Sequence, residues 1–166
     1  MKIIFIGTPE FGAIILEKLI KSGRKPFLVI TAPDKPVGRK QIIPPPPVKV
    51  LAEKYHIPVT QPEKIADFIS DIKNLKPDLG IIAAYGQILP KDMLSIPIYG
   101  FLNVHPSLLP RWRGSSPIQY TILNGDEKTG VTIIRISEKL DAGTILAEQE
   151  IEINKKETFA SLHDKL

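Results

Sequence analysis

Asn103 and His105 stand two residues apart in the stretch FLNVHPSLLPRWRGSSP, which runs from Phe101 to Pro117. On an extended segment that spacing projects both side chains to one face, an amide beside an imidazole. Pro106 stops the strand directly after them. An amide donor next to an imidazole suits an oxygen that gains negative charge during a reaction, where a donor aimed at the developing charge is worth about 2.7–4 kcal/mol. Histidine adds a proton source that titrates around neutral pH. The same pair also reads as a satisfied histidine and an Asn turn at a strand end, and a third group decides between the two. The candidate is Asp141 in KLDAG. A carboxylate there can orient the imidazole and stabilise its charged form, although on its local sequence alone Asp141 reads first as a turn residue.

The residues around this pair divide by type. Ser107 has no G-x-S-x-G turn around it, and adjacency to a histidine in sequence does not make a triad, so it is not expected to be a nucleophile. Leu108, Leu109 and Pro110, with Pro106 in front, read as an apolar wall for a flat ligand. Arg111, Trp112 and Arg113 are suited to stacking on or pairing with an anionic partner. Near the N-terminus, G-T-P-E-F-G lacks the third glycine of a dinucleotide fingerprint and places Pro9 and Glu10 where a pyrophosphate needs bare backbone N–H groups. No P-loop is present, and the three histidines lack metal-ligand spacing. No metal is expected.

The elements that must position these residues alternate between strand and helix. KIIFIG (2–7), PFLVIT (26–31) and DLGIIAAYG (78–86) are continuous apolar runs of the kind buried on both faces of a parallel sheet. Helices are predicted over FGAIILEKLIKSG, with Phe11, Ile14, Ile15 and Leu19 as its stripe and Gly23 as its end, over 48–56, and over 63–75. LNVH (102–105) is a short strand, SPIQYTILNG a helix ended by Gly125, and TGVTIIRIS with GTILAEQEIEI a period-two antiparallel pair joined through EKLDAG. ETFASLHDKL carries Phe159, Leu162 and Leu166 at helical spacing. This series predicts an α/β fold: an open, doubly wound, mostly parallel Rossmann-like sheet with an antiparallel edge pair. Ligands of such sheets bind off the carboxyl ends of the strands, here Gly7–Pro9, Thr31–Pro33, Tyr85-Gly86 and Asn103–His105.

Composition bounds the remaining classes. The 166 residues are 43% hydrophobic and 24% charged, ordinary for a globular protein with a real core. Apolar runs such as IIFI fall far short of the roughly 18–20 residues of a membrane span, and Met1-Lys2 leads straight into a strand, so neither a membrane segment nor an export signal is expected. The absence of cysteine excludes disulfides and agrees with a cytoplasmic protein. A net charge of +4 and a pI near 9.2 fit either a solvated Lys-rich surface or a polyanionic partner.

Taken in order, MKIIFIGTPEFG, TAPDKPVGRKQ with PPPVKVLA, AAYGQILP, FLNVHPSLLPRWRGSSPIQ and GVTIIRI with KLDAG resemble the formyl-transfer domain of the methionyl-tRNA formyltransferases. The resemblance covers nearly the whole chain. The wider superfamily of folate-dependent formyltransferases shares N-x-H-P-S-x-L-P and the downstream Asp, while GTPEF and PDKPVGRK point to the tRNA enzymes. The resemblance implies transfer of a formyl group from 10-formyltetrahydrofolate, as co-substrate, to the α-amine of initiator methionyl-tRNA in translation initiation. It implies a cytoplasmic monomer that needs no metal. It assigns catalysis to Asn103, His105 and Asp141, and folate binding to Ser107, Leu108, Leu109 and Pro110 with Tyr85, Gly86, Ile88 and Leu89. Arg39 and Lys40, in the Pro-rich loop from Pro33 to Pro47, become the tRNA contacts. That loop reads GRKQII, less basic and less Gly-rich than the GRGKK form of the family. Residues 1–166 correspond to the catalytic domain, incomplete at its C-terminus, without the β-barrel that grips tRNA in the family. Two other readings stay open: a formyltransferase for a sugar-nucleotide or other small amine, and a non-catalytic folate-binding module.

Overall fold

The computed structural model describes residues 1–36 and 43–166. The chain divides into two compact units, Met1–Phe101 and Leu102–Leu166.

In the first unit four parallel strands, β1 (Ile3–Gly7), β2 (Leu28–Ile30), β3 (Val59–Thr60) and β4 (Leu79–Ala83), pair in the order β3-β2-β1-β4. Every residue of β1 and β4 is buried, as their unbroken apolar runs predict for strands covered on both faces. Phe5, Ile4, Ile6 and Ile30 form the centre of this core. Gly80 lets β4 meet the chain at Phe101, because a Cβ at that position would overlap the Phe101 ring. The strand stops at Ala83, three residues before the expected Gly86, since Ala84 (φ 50°) and Gly86 (φ 88°) turn the chain left-handed.

Helix α1 (Glu10–Lys21) is rotated from its predicted stripe: Phe11, Gly12, Ala13 and Leu16 are buried, whereas Ile14, Ile15 and Leu19 are half-buried. Its smallest residues face inward because the helix presses on the sheet at Gly12, where a Cβ would lie 2.8 Å from the Ala83 carbonyl. Helix α2 (Pro47–Lys54) starts with a proline at its first position, where no N–H is needed. The single helix expected over 63–75 is instead a 3₁₀ turn, Ile65–Phe68, followed by α3 (Ile69–Leu75). The Gln87 carboxamide accounts for the break, accepting from the Ile65 N–H (2.9 Å) and donating to the Glu63 carbonyl (3.0 Å). A short helix, α4 (Lys91–Leu94), follows Pro90.

In the second unit, β5 (Phe101–His105, whose first residue closes the first unit), β6 (Lys128–Arg135) and β7 (Thr144–Glu152) form antiparallel ladders, with β6 between the other two. The β6–β7 register slips between Ile133 and Ile134, where Ile133 faces Ala147 and Ile134 faces Ile145. Leu146 is the extra residue, a bulge that bends β7. Helix α5 (Pro117–Leu123) ends before Gly125, which takes φ 65° as the predicted stop. Helix α6 (Phe159–Lys165) opens with a reciprocal capping box between Thr158 and Ser161 and buries Leu162 completely. No helix among the described residues is long and apolar enough to cross a membrane.

Candidate active site

The register of β5 on β6 pairs Asn103 with Ile134 and His105 with Thr132. Directly opposed residues share a face, and Ile134 and Thr132 are essentially inaccessible. Asn103 and His105 therefore project together onto the covered face, as their spacing predicts. Asp141 joins them from the connection between β6 and β7. Its carboxylate accepts from the Asn103 amide (Nδ2–Oδ1, 3.2 Å) and lies beside the imidazole (His105 Nδ1–Oδ2, 3.7 Å). The side chains of His105 and Asp141 are only 5% and 10% exposed.

Two backbone groups complete this cluster. The Gly114 N–H donates to Asp141 Oδ2 at 2.9 Å, and the Trp112 carbonyl lies 2.9 Å from His105 Nε2. Both neighbours are acceptors, but only the Trp112 carbonyl is within hydrogen-bond distance, 2.9 Å against 3.7 Å for the carboxylate, which favours the neutral tautomer with its proton on Nε2 and the Nδ1 lone pair facing Asp141. A proton added at Nδ1 would enter the space between the ring and a carboxylate already fixed by two donors. The arrangement can take up a proton there, while the second N–H of the Asn103 amide remains for another acceptor.

The loop after β5 is tied down at several points. The Ser107 hydroxyl, fully buried, donates to the Arg111 carbonyl at 2.7 Å rather than to His105. Thr132 lies 2.7 Å from the Ser107 carbonyl, to which its hydroxyl donates, and accepts from the Leu109 N–H at 3.1 Å. Leu109 is buried, Leu108 is half-buried, and the exposed Pro110 follows a cis peptide bond. Arg111 and Trp112, suited in sequence to an outside anion, find one within the fold: Asp126 accepts from Arg111 Nη2 (2.8 Å) and Trp112 Nε1 (2.6 Å). Asp141 itself has φ 44°. The return from it to β7 passes Gly143, where a Cβ would overlap the Arg135 carbonyl.

The other expected ligand residues belong to the first unit, just past β4. The Tyr85 ring is buried, its hydroxyl has no hydrogen-bond partner among the described residues, and burial pushes that hydroxyl above its usual pKa. Gly86 is exposed and left-handed, Ile88 is 78% exposed and Leu89 is half-buried. Thr8 knits the strand ends of this unit: its N–H donates to the Ala84 carbonyl (3.1 Å), and its hydroxyl donates to the Tyr85 carbonyl and accepts from the Ala32 N–H, both at 3.3 Å. Arg39 and Lys40 lie outside the described residues. The contacts from Trp112, Gly114, Thr132 and Asp126 were not anticipated. Two of them are backbone groups, which no side-chain pattern reveals.

The family model described as formyl transferase matches residues 1–166, the full chain. The chain belongs to the formyltransferase family. Among curated formyltransferases, the methionyl-tRNA formyltransferases of Bacillus cytotoxicus and Bacillus mycoides are each 52% identical to it over 168 residues, covering all of this chain and 54% of theirs. The chain thus spans about half the length of these relatives. Among solved structures it superposes on the phosphoribosylglycinamide formyltransferase from Bacillus halodurans with a TM-score of 0.83 at 22% identity, over 99% of this chain and 87% of that one. Glycinamide ribonucleotide transformylase 1 from Symbiobacterium toebii gives a TM-score of 0.81 at 17% identity, over 99% and 79%. The formyltransferase fold is accordingly the one predicted: an open, mostly parallel, Rossmann-like α/β sheet with an antiparallel edge pair.

Proposed function

We propose that this chain carries the chemistry of a methionyl-tRNA formyltransferase. The reaction moves a formyl group from 10-formyltetrahydrofolate to the α-amine of methionine on initiator tRNA, in the cytoplasm, for translation initiation. The observation that carries this reading is the Asp141 carboxylate, held by Asn103 and the Gly114 N–H beside the imidazole of His105. The identity of 52% to the methionyl-tRNA formyltransferases supports the choice of acceptor.

The donor set fits a carbonyl that becomes an oxyanion. Bound at the site, 10-formyltetrahydrofolate supplies the formyl carbon. Asn103 keeps one N–H on Asp141 and turns its second toward the formyl oxygen, and His105, neutral at the outset, adds positive charge beside it only while it carries the proton in transit. In the transfer a C–N bond forms to the attacking amine, the bond to the folate nitrogen breaks, and one proton passes from the amine to the departing nitrogen. His105 Nδ1, facing Asp141, is the group placed to hold that proton in passage. No covalent enzyme intermediate and no metal is needed, because an α-amine with a pKa of about 7.7–8.0 is partly neutral at pH 7. Ser107, Leu108, Leu109 and Pro110, with Tyr85, Gly86, Ile88 and Leu89, are assigned to the folate, and Arg39 and Lys40 to the tRNA. The chain acts as a monomer.

Release of tetrahydrofolate tests the proposal, measured with methionyl-tRNA, with small amines and with neither. The intact chain should turn over with methionyl-tRNA, and His105→Ala and Asp141→Asn should each be slower by about 10²–10³-fold. Equal rates for intact and variant chains would sink the mechanism. Turnover with small amines alone would move the acceptor to that class, and folate binding without turnover would leave a binding module.

A further inference from the structure

We infer that Asp126 is a positioning residue for the formyl transfer proposed above: it anchors Trp112 so that the Trp112 carbonyl holds the Nε2 proton of His105 and leaves Nδ1 facing Asp141. The inference rests on that proposal for its catalytic meaning, and on geometry alone for the anchor.

Trp112 has φ 56°, a left-handed backbone that is unfavourable for a bulky side chain and persists only where its surroundings impose it. Here the surroundings are explicit. The Asp126 side chain is 6% exposed, and its carboxylate receives the indole N–H at 2.6 Å, Arg111 Nη2 at 2.8 Å and Asn124 Nδ2 at 2.6 Å. The indole stacks on Tyr120, with centroids 5.6 Å apart and planes 11° from parallel, and the Arg111 guanidinium lies 5.2 Å from its centroid. Relaxing Trp112 to a right-handed conformation would draw the indole off Asp126, leaving a buried carboxylate short of a donor. It would also swing the Trp112 carbonyl away from His105, 2.9 Å distant. A ring without that acceptor gains most by shifting its proton to Nδ1 and donating to Asp141, which fills the position where the mechanism needs a lone pair. Asp126 touches neither His105 nor any reacting group, so its action is indirect. Arg111 and Trp112 are thereby explained as parts of an internal bracket.

The test uses the 166-residue chain with ¹⁵N-labelled histidine, at a pH where the rings are neutral, with His105→Ala to assign the signals. Trp112→Phe keeps an aromatic side chain and removes the indole N–H, and Asp126→Asn keeps the shape and removes the charge. Trp112 is the single tryptophan, so its fluorescence reports the anchor directly in Asp126→Asn. The intact chain should show the proton on Nε2, and both variants a shift toward Nδ1. In both, kcat for formyl transfer should fall by about 10- to 100-fold, with KM for the formyl donor within about 2-fold. Unchanged His105 signals in both variants, with Trp112 fluorescence shifted in Asp126→Asn, would overturn the inference. The tautomer is read without substrate, so an inert chain with an Asp126-dependent tautomer would refute the proposed function and support the anchor. Normal transfer with an unresponsive tautomer would do the reverse.

Discussion

Thr132 sits opposite His105 in the β5–β6 ladder, wholly buried, and its one hydroxyl serves two backbone groups of the loop that covers the site. Thr132→Val preserves the shape and strands both the Leu109 N–H and the Ser107 carbonyl, so it should cost about 1–3 kcal/mol in urea unfolding. Thr132→Ser should recover most of that loss. If valine is tolerated without change, the loop is not held through this hydroxyl. At this scale the sequence revealed what side-chain chemistry can reveal: an amide and an imidazole at a spacing that shares a face, and one acid of suitable type in KLDAG. It did not reveal the Trp112 carbonyl or the Gly114 N–H, because nearly every residue carries such groups and only the folded path selects two of them.

Asp141 reaches the pair through the way β6 hands the chain to β7. The bulge at Leu146 and the contact of Gly143 with the Arg135 carbonyl bring that connection in close, and no side chain fits at Gly143. Gly143→Ala should therefore open the connection, destabilise the chain by about 1–3 kcal/mol, and move the Gly114 amide resonance as its bond to Asp141 loosens. A Gly114 amide left in place would show that Asp141 is held independently of this approach. Elements whose signal is local were legible: β1, the stop at Gly125 and the antiparallel pair all follow from periodicity and turn residues. The rotation of α1 and the 3₁₀ break before α3 were not. Both are set by tertiary contacts, of Gly12 with the Ala83 carbonyl and of Gln87 with the Glu63 and Ile65 backbone.

For the molecule as a whole, the net charge of +4 takes meaning only beside the proposed polyanionic acceptor. Contacts to phosphates release counterions, so formyl transfer to methionyl-tRNA should weaken steeply between about 50 and 200 mM salt at subsaturating tRNA. Loss of the formyl group to water, without tRNA, should change little over the same range. Arg39→Ala and Lys40→Ala should each flatten the salt dependence with tRNA and leave the water reaction alone. Parallel salt curves for the two reactions would count against a tRNA acceptor bound through these residues.

By itself the sequence determined the α/β class, the family, and the types of group available for chemistry, because apolar periodicity, turn residues and motif order are properties of neighbouring positions. Only the tertiary structure decided that Asp141 meets residues 36 and 38 positions before it, that Arg111 and Trp112 bind an internal acid, and which nitrogen of His105 faces the Trp112 carbonyl. Those outcomes depend on donors and acceptors distant in the chain being brought within about 3 Å of one another, where directional hydrogen bonds choose among conformations that local sequence leaves equally open.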